Sequence, residues 1–342
     1  MHKTEFQFSS KKVSFYFDAT FKQLTSIVSQ KNSIVITDST VHAAHKDLFA
    51  DWNTVIIPAG EAHKQPATVQ YIIEQLIQFE ADRQSILIGV GGGVVTDITG
   101  YVAGIYMRGI AFGFVPTTLL AMVDAAIGGK NGIDAGLYKN MIGLFRQPDF
   151  LLYDYSFLKT LPDSEWINGF AEIIKHACIK DATLFEQLQQ HQLADYQQQP
   201  NLLSALINRN AQIKARVVEK DEFEKADRKL LNFGHTLGHA IENLLAISHG
   251  SAVSIGMMAA ATISEEIGNF PSTEKAKLQQ ILAQYQLPVK ADYDRRKAWE
   301  ILKMDKKRKG DEMQFVLLEQ IGKAVVKNIP LVQLENLVAS IL

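Results

Sequence analysis

Ile86-Leu-Ile-Gly-Val-Gly-Gly-Gly-Val-Val-Thr-Asp97 is the stretch on which the fold class turns. An apolar run breaks into three consecutive glycines, Gly91 to Gly93, and resumes as the start of a helix. Such a strand–turn–helix unit is the building block of a parallel α/β sheet. Its glycines let an anionic ligand approach free N–H groups at a helix N-terminus. The third glycine of the usual dinucleotide fingerprint is replaced by Val94, so the turn alone reads equally as a nucleotide site or a tight structural bend.

Further runs on either side repeat the pattern. Val13–Phe17, Ser33–Thr37, Thr54–Ile57, Ser85–Val90, Ala111–Val115 and Phe150–Asp154 read as strands, and Thr68–Phe79 as an amphipathic helix with Val69, Ile72, Ile73, Leu76 and Ile77 on its apolar side. The alternation predicts a Rossmann-like α/β domain with a mainly parallel sheet over residues 1–156. Beyond it, strand signals nearly vanish until Met313–Leu318 and Ala324–Lys327, a hairpin around Gly322, followed by a closing helix over Leu331–Leu342. Residues 157–342 therefore read as a mostly α-helical second domain. Asp163 is placed to cap the helix that carries Phe170-Ala-Glu-Ile-Ile-Lys-His176. The glutamine-rich stretch Gln187–Gln199 reads as a solvated helix end and loop.

Composition narrows the function. The chain has 342 residues, with 35 Lys+Arg against 37 Asp+Glu, and this balance argues against a nucleic-acid-binding protein. One cysteine, Cys178, excludes an internal disulfide framework and fits a reducing cytoplasm. The most apolar stretch, Ile110–Ile127, is interrupted by Pro116 and Asp124 and falls short of a membrane span. The N-terminal residues lack the apolar core of a signal peptide, so a cytoplasmic protein is expected.

Ligands of parallel sheets sit at the carboxyl ends of strands. Several strand-end loops carry suitable chemistry: Asp38 for a ribose hydroxyl, Gly60, Glu61 and Lys64 after the third run, the glycine turn, and Pro116-Thr-Thr118 opening a helix. Together they point to an NAD-like cofactor. Gly128-Gly129-Lys130 delivers an ammonium beside two glycines, but the spacing is not that of an ATP- or GTP-binding P-loop.

A second informative segment is Arg228-Lys-Leu-Leu-Asn-Phe-Gly-His-Thr-Leu-Gly-His-Ala-Ile-Glu242. Arg228, Asn232, His235 and His239 would share one face of a continuous helix. His235 and His239 have the spacing of a zinc-binding pair, with His249 as a third imidazole and Glu172 as the best carboxylate. Buried, internally satisfied histidines are the bland alternative. Lys175 follows Glu172 by three residues and could be a plain helix ion pair. Lys130, Lys139, Lys175, Lys214, Arg108 and Arg228 sit near glycines, carboxylates or amides, which suits a substrate bearing phosphate and carboxylate. Lys306-Lys-Arg-Lys309 reads as a surface loop able to offer one lysine to an anion.

The assembled motifs resemble the 3-dehydroquinate synthases, a family of sugar phosphate cyclases. The resemblance runs from about Pro58 to about Leu318. It rests on Gly91-Gly-Gly-Val-Val-Thr-Asp97, Tyr106-Met-Arg-Gly109, Val115-Pro-Thr-Thr-Leu-Leu-Ala-Met-Val-Asp124, Ile127-Gly-Gly-Lys130, Lys139-Asn-Met-Ile-Gly143, Gly169-Phe-Ala-Glu-Ile-Ile-Lys175 and Leu231-Asn-Phe-Gly-His-Thr-Leu-Gly-His239. It implies NAD on the N-terminal domain, at Asp38, Glu61, Lys64, Gly92, Gly93, Val94, Asp97, Thr117, Thr118, Lys139, Phe157 and Thr160. It implies a divalent metal, zinc or cobalt, on Glu172, His235 and His249, which sets aside the His235/His239 pair and makes His239 a substrate-side acid/base group. Substrate contacts fall to Arg108, Asp124, Lys130, Asn140, Lys175, Lys214, Arg228 and Asn232, a proton-acceptor role to Glu224, and a further anion contact to Lys306 or Lys307.

The implied reaction converts 3-deoxy-D-arabino-heptulosonate 7-phosphate to 3-dehydroquinate and phosphate. It proceeds by transient oxidation with NAD, phosphate elimination, re-reduction and aldol closure, in a homodimer. Three positions depart from the family pattern: Thr96 and Tyr138 stand where glycine is usual, and Ser251 where a glutamate often follows His249-Gly250. The last implies weaker support for His249. Another sugar phosphate cyclase, a metal-dependent glycerol or alcohol dehydrogenase, and a catalytically silent NAD- or metal-sensing module are the competing readings.

Overall fold

Each of the six runs read as strands forms one. The computed structural model describes residues 1–136, 138–304 and 307–341. Its elements run β1 (His2–Gln7), β2 (Lys12–Phe17), β3 (Ser33–Asp38), α1 (Ser39–Ala44), β4 (Asn53–Ile57), α2 (Pro66–Gln78), β5 (Ile86–Gly91), α3 (Gly93–Ile105), β6 (Ala111–Pro116), β7 (Lys130–Ala135), β8 (Tyr138–Phe145) and β9 (Phe150–Leu152). The main sheet has seven strands in the order β1-β2-β9-β6-β5-β3-β4. Every pairing in it is parallel except β1 with β2. The chain moves outward from β3 to β4 and then returns across β3 to β5. The crevice between the ends of β3 and β5 is thus the topological switch point, where parallel sheets bind ligands.

Three strands of the α/β part escape the sequence reading, and a fourth, Arg308–Lys309, stands where a surface loop was expected, paired with Met313 and Glu312. β1 is polar and mostly exposed, an edge strand with little apolar signal. The hairpin β7–β8 is rich in glycine and polar residues and forms its own small sheet.

The helical part follows as α4 (Asp163–Lys180), α5 (Ala182–Gln189), α6 (Leu193–Gln198), α7 (Pro200–Lys220), α8 (His235–Leu245), α9 (His249–Gly268), α10 (Ser272–Gln284) and α11 (Arg295–Lys303). Strands β10 (Arg308–Lys309), β11 (Glu312–Gln320) and β12 (Lys323–Pro330) and helix α12 (Leu331–Ile341) complete the chain. The expected hairpin and closing helix are therefore present. Asp163 stands inside the first turn of α4. The glutamine-rich stretch includes α6, whose start is held by a reciprocal Gln192–Asp195 capping box.

Two compact units emerge: Met1–Pro162 with Leu203–Phe223 (unit 1), and Asp163–Leu202 with Glu224–Leu342 (unit 2). The pattern change read at 156–157 thus falls short of the Pro162–Asp163 division. Phe157 packs into the sheet core with Phe21, Val35, Ile88 and Val115, so the chain stays with unit 1 past that point. Residues 203–223 return to unit 1 because Glu222 accepts hydrogen bonds from Ser9 N (2.7 Å), the Ser9 hydroxyl and Gln147 Nε2 (2.8 Å). Unit 2 has its own core, including Leu237, Ile241, Ile255, Trp299, Phe315 and Leu334.

The expectation of one continuous helix through Arg228, Asn232, His235 and His239 is corrected. Asp227–Asn232 is a 3-10 helix, and α8 begins only at His235. Between them Gly234 takes φ +79°, and a Cβ there would lie 2.7 Å from Val253 O. Only glycine combines that backbone with that approach, so the helix breaks before the histidines.

Candidate functional site

In unit 1, β5 ends at Gly91, Gly92 caps α3, and Gly93 is the first helical residue. Gly92, Gly93 and Val94 are partly exposed, and the first N–H groups of a helix have no partner within it, so this turn can hold an anion. Thr117, just after β6, is 4% exposed, and its hydroxyl has no hydrogen-bond partner among the described residues. A buried hydroxyl without a partner is costly unless a ligand satisfies it. Thr118 Oγ1 accepts from Ala121 N at 3.1 Å. Asp38 Oδ1 accepts from Thr40 N and Val41 N and so caps α1 from the end of β3. These observations fit a dinucleotide at the switch point.

Lys64 is the centre of the polar network. Its Nζ donates to Asp97 Oδ2 at 2.5 Å and to Asn140 Oδ1 at 2.6 Å. Burial pushes the Asp97 carboxyl up, against the pull of Lys64. Burial would lower the Lys64 ammonium, but Asp97 and Glu61 raise it. Asn140 is held at φ +54° by a bond from its N–H to Asp134 Oδ1 at 2.7 Å, while Asp134 N donates to Lys64 O at 2.8 Å. Asp134 therefore locks Lys64 and Asn140 together, a role with no sequence signature because the hairpin creates it.

Glu61 and Lys139 are exposed nearby in sequence to this network. His45 was not expected either. Its ring lies edge-on to Phe157 at 4.7 Å, and its Nε2 is 3.0 Å from Thr160 Oγ1, so it ties the last two expected cofactor residues together.

Lys214 Nζ contacts Asp124 Oδ2 and donates to Asp124 O, both at 2.7 Å. Arg108 has φ +67° in an exposed turn, and Lys130 is exposed at the start of β7. Thr96 is accommodated within α3, where its hydroxyl donates to Gly93 O at 3.0 Å.

In unit 2, α4 supplies Glu172 and Lys175, α8 supplies His235 and His239, and α9 supplies His249. Helices α4 and α9 meet where Gly250 N donates to Asn168 Oδ1 at 2.5 Å. A Cβ on Gly250 would lie 2.8 Å from the Asn168 backbone, so glycine permits the approach that brings His249 to Glu172.

Glu172 is fully buried. Its Oε1 lies 3.4 Å from His235 Nε2 and 3.2 Å from His249 Nε2, and its Oε2 pairs with the Lys175 ammonium. One ligand atom from each of Glu172, His235 and His249 lies within 4.8 Å of the others. A carboxylate and two imidazoles, leaving further positions open, are a donor set that suits a catalytic divalent cation.

Burial alone would raise the Glu172 carboxyl, but Lys175 and the two imidazoles hold it well below the usual range. Burial lowers His235. It also lowers His249, but hydrogen bonds with Glu172 and Glu242 outweigh it and raise that imidazole to about 9.

His239 is one turn along α8, its ring centre 5.3 Å from that of His235 and 6.4 Å from that of His249. It is not a member of the three-residue group. Burial, with His235 and Lys307, holds it well below its ordinary value. Asn232 Nδ2 donates to Glu224 Oε1 at 2.5 Å, and Arg228 is buried. Of the two candidate late-loop lysines, Lys306 lies outside the described residues. The Tyr138 side chain is likewise outside them. Ser251 serves the α9 cap, its N–H and hydroxyl both meeting Ser248 Oγ.

Among the described residues, no helix is long and apolar enough to cross a membrane.

A family model for the 3-dehydroquinate synthase N-terminal region matches residues 54–168, and one for the C-terminal region matches residues 169–308. The chain is 41% identical over 304 residues to a 3-dehydroquinate synthase of Campylobacter concisus, covering 86% of this chain and 87% of that protein. Among solved structures it is similar to the 2-epi-5-epi-valiolone synthase ValA of Streptomyces hygroscopicus with NAD+ and Zn2+ bound. The TM-score is 0.88 at 26% identity, covering 99% of this chain and 98% of that one. It is also similar to a 2-deoxy-scyllo-inosose synthase complexed with carbaglucose-6-phosphate, NAD+ and Co2+. There the TM-score is 0.86 at 25% identity, covering 98% of this chain and 99% of that one.

Proposed function

The chain belongs to the 3-dehydroquinate synthase family, and from that premise we propose how its own residues convert 3-deoxy-D-arabino-heptulosonate 7-phosphate to 3-dehydroquinate and phosphate. When bound, NAD supplies a reversible hydride acceptor and a divalent cation, zinc or cobalt, supplies Lewis acidity to the substrate hydroxyls.

Residues of unit 1 hold the dinucleotide. The N–H groups of Gly92, Gly93 and Val94 take the diphosphate, Asp38 and Glu61 take ribose hydroxyls, and Thr117 and Thr118 flank the turn. Lys64, fixed by Asp97, sets the polarity beneath, while Lys139 and Thr160 complete the binding surface and Phe157, packed in the sheet core, anchors the segment that carries Thr160. Residues of unit 2 hold the cation through Glu172, His235 and His249. The single observation that carries this reading is the buried Glu172 carboxylate flanked by two imidazole Nε2 atoms.

The remaining residues bind and orient substrate. Arg108, Lys130, Lys175, Lys214 and Arg228 answer its phosphate and carboxylate, and Asp124, Asn140 and Asn232 take hydroxyls. His239, one turn from His235 on α8 and outside the ligand group, takes the acid/base role on the substrate side. Glu224, orienting Asn232, is a second proton acceptor. Lys307, close enough to His239 to act on it electrostatically, is the further anion contact.

Purified protein incubated with NAD, zinc and the heptulosonate phosphate should release one phosphate per 3-dehydroquinate with no net NADH. Steady accumulation of NADH would instead identify a dehydrogenase. The proposed assembly is a homodimer, supported by the exposed apolar Met141, Ile142, Phe145 and Phe223 of unit 1. Analytical ultracentrifugation returning a monomer removes that part. We place the enzyme in the cytoplasm, a reading supported by its single cysteine, buried Cys178.

A further inference from the structure

Helix α8 carries a third polar group beyond its two histidines. Glu242 follows His239 by three residues and His235 by seven, so all three share one stripe of the helix. Its side chain is only 10% exposed, and its Oε2 lies 3.3 Å from His249 Nδ1. The mechanism above gives Glu242 no task.

His249 needs help that His235 does not. An imidazole can ligate through Nε2 while neutral only if Nδ1 carries the proton, and an acceptor at Nδ1 fixes that tautomer and the ring orientation. For His235 the acceptor is the backbone carbonyl of Phe233, 3.1 Å from Nδ1. For His249, the first residue of α9, no backbone carbonyl among the described residues bonds Nδ1, which meets Glu242 Oε2 instead. Its side chain is also 30% exposed, against 12% for His235, so packing restrains it less. Glu242 fills this gap from the neighbouring helix, across a short turn in which Ala246 takes φ +50°.

We infer that Glu242 is a positioning residue: its carboxylate holds His249 with Nδ1 protonated and Nε2 aimed at the cation held by Glu172 and His235. The inference rests on the ligand assignment above. It also explains why Ser251 at the start of α9 does not leave His249 unsupported, since the carboxylate comes from α8 instead. The two imidazoles are thus supported differently, one by a neutral carbonyl and one by a charge, and the charged acceptor raises the basicity of the more exposed ligand.

The test compares Glu242→Ala, the isosteric Glu242→Gln and the control His235→Ala with the parent. Zinc affinity is measured by competition with a chromophoric chelator, and the fold of each metal-free protein by thermal melting. Glu242→Ala should bind zinc about 10- to 100-fold more weakly. Glu242→Gln should fall between, because its amide oxygen still accepts the Nδ1 proton without the charge. In 1H–15N spectra of the zinc-loaded protein, the His249 Nδ1 proton should exchange slowly with water in the parent and rapidly in Glu242→Ala. Zinc affinity within about threefold of the parent in both Glu242 variants, with His235→Ala clearly weakened, overturns the role of Glu242 and leaves the ligand set standing. Full zinc retention by His235→Ala overturns the ligand set and, with it, the role of Glu242.

Discussion

The two units prepare for their ligands in opposite ways. Unit 1 offers backbone: a glycine turn, a helix N-terminus and strand-end hydroxyls, with Lys64, Asp97, Asp134 and Asn140 bonded to one another beside it. Unit 2 offers concentrated side-chain charge: Glu172 fully buried, Lys175 against it, and three imidazoles on two helices around it. A backbone site is largely preformed because the strand-to-helix turn already aims its N–H groups. A buried charge cluster holds only if every member stays partnered, because a buried charge left alone costs several kcal/mol. Small changes in unit 1 should therefore have graded effects, and single changes in unit 2 should have steep ones.

The steepest loss is expected for His235→Ala and His249→Ala. Each should cut zinc affinity by more than about 100-fold and abolish turnover with it, as read by metal content after dialysis. Full metal occupancy in both would erase the contrast between the units.

His239→Ala comes next. Turnover should fall by about 10²- to 10⁴-fold, the range for loss of a general acid/base group, while zinc affinity stays within about threefold. Loss of metal in this variant would put His239 back among the ligands.

Lys64→Met should weaken NAD binding by about 10- to 100-fold, consistent with loss of hydrogen bonds from a charged group. Equilibrium dialysis should find zinc binding unchanged. A zinc affinity that drops in parallel would show that the units do not act separately.

The smallest effect belongs to Thr117→Val. If the buried hydroxyl is reserved for the cofactor, NAD affinity should fall by about two- to tenfold. The thermal midpoint of the ligand-free protein should hold or rise, because an unsatisfied hydroxyl has been replaced by a methyl group of the same shape. An unchanged NAD affinity would assign the hydroxyl no part in binding.

Much of unit 1 is legible in the chain. The run from Ile86 through the glycines to Asp97 announces its strand, turn and helix, because periodicity and glycine chemistry are local. β1 and the β7–β8 hairpin are not legible, since polar edge strands and glycine-rich strands lack the β-branched pattern. Consequently Asp134, which fixes Lys64 and Asn140, and His45, which ties Phe157 to Thr160, carry no signal that sequence could supply. In unit 2 the histidines are conspicuous, but a face shared with Arg228 and Asn232 requires a helix that Gly234 interrupts.

By itself, the order of residues determined the alternation of strands and helices, the glycine turn at the switch-point strand, and the supply of imidazoles, carboxylates and cations. Tertiary structure decided which of those groups meet. The spacing of His235 and His239 sets a distance along one helix, but a shared cation needs convergence from several. That convergence is set by the contact of α4 with α9 through Asn168 and Gly250, which carries His249 to Glu172 from 77 residues away in the chain. Local sequence fixes directions along an element; only packing between elements brings distant side chains within bonding range.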